Sequence, residues 1–179
     1  MRGRWRWILL CAYIFLIYST LGLVRRWSEI LDEQGLTQII TGPAVALLLF
    51  LPIGWGWQRA SWKQRLGRVA TGILLFITAL WVDFPEERIH LVEYGLLGLM
   101  LGWAFKGSRR WPQLWPLAVA LLWMLGWGDE LIQAVLPNRV YDVRDIVLNG
   151  LAGMAGLYLF ETHCEKEIRN TNKGHDSKK

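Results

Sequence analysis

Six stretches of the chain are apolar over close to the length that a hydrocarbon core of about 30 Å demands, and most polar residues lie between them. They run roughly from Trp7 to Val24, Ile39 to Trp57, Gly67 to Val82, Ile89 to Phe105, Leu114 to Val135 and Val143 to Phe160. This pattern predicts an all-α, polytopic transmembrane bundle of about six helices, because in lipid a helix satisfies its own backbone groups. The third run is short and reaches full length only if Arg68 snorkels to the surface. The fifth holds Asp129 and Glu130 near its far end. From Glu161 onward the chain is polar, which predicts a short helix extension and then a disordered tail.

Basic residues fix an expected orientation. Arg2, Arg4, Arg6, then Arg59, Lys63, Arg65, Arg68, then Lys106, Arg109, Arg110, then Lys166, Arg169, Lys173, Lys178 and Lys179 fall on one side of the predicted spans. Only Arg25, Arg26, Arg88, Arg139 and Arg144 fall on the other. The positive-inside rule then places both termini in the cytoplasm. Trp5, Trp7, Trp55, Trp57, Trp103 and Trp111 mark the cytoplasmic span ends, and Trp27, Trp81, Trp123 and Trp127 lie toward the outer ones, as aromatic belts do, although some of these rings could equally pack between helices. The stretch around Tyr18-Ser19-Thr20 lacks a small-x-small cleavage site, so the first run reads as a retained span rather than a signal peptide.

Composition sharpens the class. Of 179 residues, 53% are hydrophobic and 12 are Trp, yet 20% are charged, with a net charge of +5, a mixture unlike an ordinary soluble domain. Cys11 lies in an apolar run and Cys164 in the polar tail, so no disulfide framework is expected.

Three polar groups land at the outer face in this topology: Asp83 to Tyr94, Asp129 to Gln133, and Arg139 to Asn149. Helical repeat puts Glu86, His90, Glu93 and Tyr94 on or beside one stripe, Asp129 over Gln133, and Asp145 over Asn149. Helices packed about 8–10 Å apart would let these side chains share a cavity. Glu86 and Asp142 also suit helix N-terminal caps, where acids complement the dipole. Asp129 and Glu130 do not, because they lie toward a helix C-terminus; Arg139 is their obvious partner, as a structural clamp or part of a site.

His90 has carboxylates at i−4 and i+3, which suit it to acid or base work. His90, Asp129 and Glu130 are therefore the catalytic candidates. Glu86, Glu93, Tyr94, Gln133, Arg139, Asp142, Asp145 and Asn149 are the substrate-binding candidates. His90 with Glu86 or Glu93 and Asp129 could ligate a hard ion or zinc, but no ligand spacing is diagnostic, so no metal is assigned and any cofactor is left open. There is no glycine-rich phosphate loop, no nucleophile elbow and no basic patch interleaved with aromatics, so nucleic acid is not an expected partner. Gly150, Gly153 and Gly156 predict close helix packing.

The runs Glu86-Glu87-Arg88-Ile89-His90-Leu91-Val92-Glu93-Tyr94-Gly95, Asp129-Glu130-Leu131-Ile132-Gln133 and Pro137-Asn138-Arg139-Val140-Tyr141-Asp142-Val143-Arg144-Asp145, followed by Asn149-Gly150, resemble the VanZ-like family. Two departures are visible: Glu86-Glu87 stands where the family usually has Asp-Lys, and Pro-Asn-Arg where it usually has Pro-Gly-Arg. The resemblance covers about residues 81–160, leaving 1–80 as divergent or extra transmembrane helices and 161–179 as a cytoplasmic tail. It implies a multi-pass protein of the bacterial cytoplasmic (inner) membrane, from a family named after a member linked to teicoplanin resistance.

Together these features lead to an expectation that the outward polar cluster binds or modifies a cell-envelope component, a lipid-linked glycan or cell-wall precursor, with membrane lipid as its surroundings. Two other classes stay open: a proton-coupled carrier using the same carboxylates, and a structural scaffold. Oligomeric state is not legible.

Overall fold

The computed structural model describes residues 3–33, 50, 53–54, 57–82, 85–106, 111–136 and 141–176. Among them the chain forms five α-helices and no strand: α1 (Arg4–Glu33), α2 (Trp62–Trp81), α3 (Pro85–Phe105), α4 (Trp111–Gln133) and α5 (Val143–Asp176). Each contains one of the predicted apolar runs or most of it. The predicted span from Ile39 to Trp57 lies almost wholly outside the described residues.

Local chemistry sets the helix ends. Ser61 accepts from the Gln64 N–H while Gln64 Oε1 accepts from the Ser61 N–H, a capping box that starts α2. Pro85 is the first residue of α3, where its missing N–H costs no helical hydrogen bond. The Arg88 guanidinium donates through Nε and Nη2 to the Val82 carbonyl, tying the end of α2 to the start of α3. Asp142 Oδ1 accepts from the Arg144 N–H at 2.8 Å and so caps α5.

The core is organised around α3 and α5, which run parallel in the most extensive helix contact of the molecule. Glycines allow this. A methyl group added at Gly98 would run into the Gly153 carbonyl, and one added at Gly156 into the Gly95 carbonyl, so the two backbones touch. Gly150 instead faces α4, where the Trp123 ring occupies the space of a Cβ. The close approach expected from Gly150, Gly153 and Gly156 is thus divided between two neighbours.

Helix α1 lies antiparallel along α3. Trp5 meets Trp103 edge-on at 4.6 Å between ring centroids, Trp7 meets Phe105 at 5.0 Å, and Arg6 donates to the Trp103 carbonyl. Helix α2 reaches α5 through Arg68, and here the structure corrects the sequence reading. Arg68 does not snorkel outward: it is 1% exposed, and its Nε donates to Thr162 Oγ1 at 3.1 Å. A cation near a helix start can extend to water or fold onto a neighbouring helix, and the hydroxyl of Thr162 gives it the second option.

The outer surface is apolar. Phe15 is 74% exposed and Trp81 81%, and Ile8, Leu74, Leu80, Leu117 and Met124 are also exposed. Contiguous apolar surface on this scale is not tolerated facing water. Among the described residues, two stretches, Arg4–Leu23 and Val143–His163, are long and apolar enough to cross a membrane. Helix α5 continues past Phe160 to Asp176, well beyond its predicted span.

Candidate functional site

The first turns of α3, the last turns of α4 and the first turns of α5 meet at one end of the bundle, and α1 passes beside them. Asp129 and Glu130 are neighbours in sequence, so their side chains leave α4 about 100° apart and serve different sides of the cluster. Both are 0% exposed.

Asp129 faces α3 and α5. Its Oδ2 lies 3.6 Å from His90 Nδ1 and accepts from Asn149 Nδ2 at 3.4 Å. The same His90 nitrogen is 3.2 Å from Glu93 Oε2, one turn along α3. The His90 imidazole is therefore flanked by two carboxylates on different helices, each within ion-pair distance of Nδ1, a setting suited to an acid or base. Gln133 is also buried and approaches Asp129 from one turn further along α4. The Tyr94 hydroxyl lies 3.1 Å from the Leu125 carbonyl and also approaches the Asp129 carboxylate. Gly126 makes room for Asn149, since a Cβ there would press on the Asn149 side chain at 3.2 Å.

Glu130 faces the start of α5, where its Oε2 accepts from the Asp142 N–H at 3.1 Å. Asp145, in the first turn of α5, lies within electrostatic reach of Glu130, as do Asp129 and His90. Each carboxylate is only half satisfied. Among the described residues, Asp129 Oδ1, Glu130 Oε1 and Gln133 Nε2 are buried without a hydrogen-bond partner. A buried donor or acceptor left open costs about 1–3 kcal/mol, more for a charged group, so the cluster holds hydrogen-bonding capacity that packing alone does not explain.

The structure thus brings together His90, Glu93, Tyr94, Asp129, Glu130, Gln133 and Asn149, with Asp142 and Asp145 at the rim. Asp142 reaches the cluster through its backbone N–H, its carboxylate being engaged as the α5 cap. Glu86 is on α3, but its side chain lies outside the described residues, and Arg139 lies outside them altogether. The described residues hold no group of three His, Cys, Asp or Glu side chains placed to share a metal ion.

Two residues of the site were missed by the sequence reading. Tyr13 donates to the Glu93 carbonyl at 3.1 Å and Tyr18 to the Leu125 carbonyl at 2.8 Å, both from α1. Tyr18 approaches through Gly128, which leaves space for its hydroxyl. The available signal was a pair of tyrosines inside an apolar run, since a buried Tyr O–H seeks an acceptor.

The VanZ/LLP1 family model matches residues 7–163. The chain belongs to the VanZ/LLP1 family. Its VanZ/LLP1 region takes in α1 and α2 as well as the part that carries the motif resemblance, so Tyr13 and Tyr18 lie inside it along with the polar cluster. A relative, an uncharacterized protein of Schizosaccharomyces pombe, is 31% identical over 111 residues, which are 60% of this chain and 67% of that protein. This similarity to a fungal protein means that VanZ/LLP1 membership does not by itself fix a bacterial source. No solved structure matches the chain.

Proposed function

We propose that this VanZ/LLP1 chain is a multi-pass protein of the cytoplasmic membrane, in a bacterial envelope by the family its motifs resemble, with both termini inside. In this reading the polar cluster lies at the outer face and binds or modifies the polar part of a lipid-linked envelope component. The observation that carries the reading is the state of Asp129 and Glu130: both carboxylates are fully buried, each with one oxygen open, on a helix whose other face is apolar and exposed. His90 is the acid or base, held between Glu93 and Asp129, and Asn149 and Tyr94 fix Asp129 in place.

The test compares lipid extracts by mass spectrometry from cells lacking the protein and from cells carrying wild type, His90→Ala or Glu130→Ala. A lipid-linked species whose abundance follows the wild type and not the variants supports the reading. Identical profiles in all four strains, with the variants present in the membrane at wild-type level, would sink it.

A scaffold reading draws support from the Tyr13, Tyr18 and Asp142 hydrogen bonds, which tie helix ends together. Thermal unfolding in detergent separates the two. A scaffold loses stability with Asp129→Asn, whereas a ligand site holds or gains stability when its open charge is removed. The carrier has less support: between the cluster and Thr162 the bundle interior is Leu97, Leu101, Leu122, Ala152 and Leu157, with no described ionisable side chain to continue a proton path.

A further inference from the structure

The groups left open in the cluster define the chemistry of what fills it. Two are carboxylate oxygens, Asp129 Oδ1 and Glu130 Oε1, and one is an amide nitrogen, Gln133 Nε2. The ligand must therefore donate at two points and accept at one. A proton placed on either oxygen does not suffice, because it converts an open acceptor into an open donor. The charge points the same way: three carboxylates, Glu93, Asp129 and Glu130, face the one imidazole of His90, while Arg88 is turned onto the Val82 carbonyl and Arg144 is exposed.

A metal ion fits poorly, since it needs several ligands converging on one point, and the described side chains give no such group of three. A primary ammonium fits better. It is compact and carries three donors, so it is satisfied by two carboxylate oxygens and one further acceptor, fewer than a metal ion asks for. Asp129 and Glu130, adjacent on one helix and within electrostatic reach of each other, supply the two oxygens. An oxygen a few bonds from the amine would accept from Gln133.

The surroundings indicate how such a group arrives. Trp127, Leu131 and Val135 on and after α4, and Val143 and Val147 on α5, are exposed apolar side chains around the same end of the bundle. A ligand whose amine enters the cluster lays its remaining bulk against these side chains, so it is amphipathic.

We propose that the cluster receives the protonated primary amine of a membrane lipid headgroup, as in an ethanolamine phospholipid. This rests on the binding reading above and narrows it to an amine-bearing lipid.

The test uses the full chain purified in detergent, titrated with short-chain phosphatidylethanolamine, with phosphatidylcholine of the same chains, and with free ethanolamine. The readouts are the thermal unfolding midpoint and lipid retained in native mass spectrometry. The choline headgroup keeps the charge but has no N–H, so it should bind about tenfold more weakly for each charge-assisted hydrogen bond forfeited. Asp129→Asn and Glu130→Gln, which keep shape and remove charge, should erase the difference between the two lipids.

If wild type binds both lipids equally and the variants bind neither, the amine inference falls while the binding reading stands. If neither lipid's binding responds to the variants, both fall. Free ethanolamine protecting as well as the lipid assigns the site to a soluble amine and overturns the lipid part. Arg139 could bring a cation of the chain's own; should Arg139→Gln create an amine preference that wild type lacks, the proposal is overturned. The wild-type comparison of two lipids needs no variant, so it decides the matter even if a substitution prevents folding.

Discussion

At the scale of single residues, the cluster is held by few bonds and each can be tested. Asn149→Ala removes the amide that donates to Asp129 Oδ2 and should cost about 1–3 kcal/mol, read as a lower unfolding midpoint in detergent. Asn149→Asp should be worse, because it sets a second carboxylate against a buried one; wild-type stability in that variant would contradict the geometry. Tyr18→Phe removes one of two hydroxyls directed at the Leu125 carbonyl and should cost only about 0.5–1.5 kcal/mol, since Tyr94 still reaches it. That His90, Asp129 and Asn149 gather at one end of the bundle was legible from helical spacing, because i, i+4 stacking fixes depth and facing, but the Asn149 bond to Asp129 was not, since Arg139 was the partner expected there. Tyr13 and Tyr18 were not legible: an apolar run shows that it is buried in lipid or protein, but not which helix its polar tips meet.

Individual helices carry their own lessons. The helices were readable because the length of an apolar run is a one-dimensional signal, whereas their ends depended on particular atoms, such as the Ser61–Gln64 box and the Asp142 cap. The role of Arg68 needed a second helix, for only the approach of Thr162 decides whether that guanidinium turns in or out. Arg68→Met should therefore destabilise the α2–α5 contact, detected as earlier proteolysis of α2 in the folded protein. The α3–α5 seam predicts an opposite pair. Gly98→Ala should reduce stability by about 1–3 kcal/mol or more, because the obstacle is backbone and cannot rotate away. Gly22→Ala meets nothing within 4 Å and should stabilise α1 by about 0.5–1 kcal/mol. Comparing both unfolding midpoints with wild type checks the contrast.

For the whole molecule, the proposed topology makes a prediction that depends on no side-chain detail. In a background without Cys11 and Cys164, a cysteine at Tyr141 should label only from outside the cell and one at Trp62 only from inside; labelling of both from one side would end the outward-facing reading. Both positions are exposed, so failure to react cannot be blamed on burial. Helix α5 has 34 residues, about 51 Å at 1.5 Å each, against a hydrocarbon core of about 30 Å. In the proposed topology its last turns therefore stand clear of the bilayer on the inner side. The backbone contact between α3 and α5 has a consequence for how the buried carboxylates are reached. Where glycine meets backbone on that seam there is no side chain to swing aside, and prying the two helices apart would break the core itself. In the proposed reading the carboxylates are therefore approached from the flank where Trp127, Leu131, Val143 and Val147 stand exposed, and not between α3 and α5.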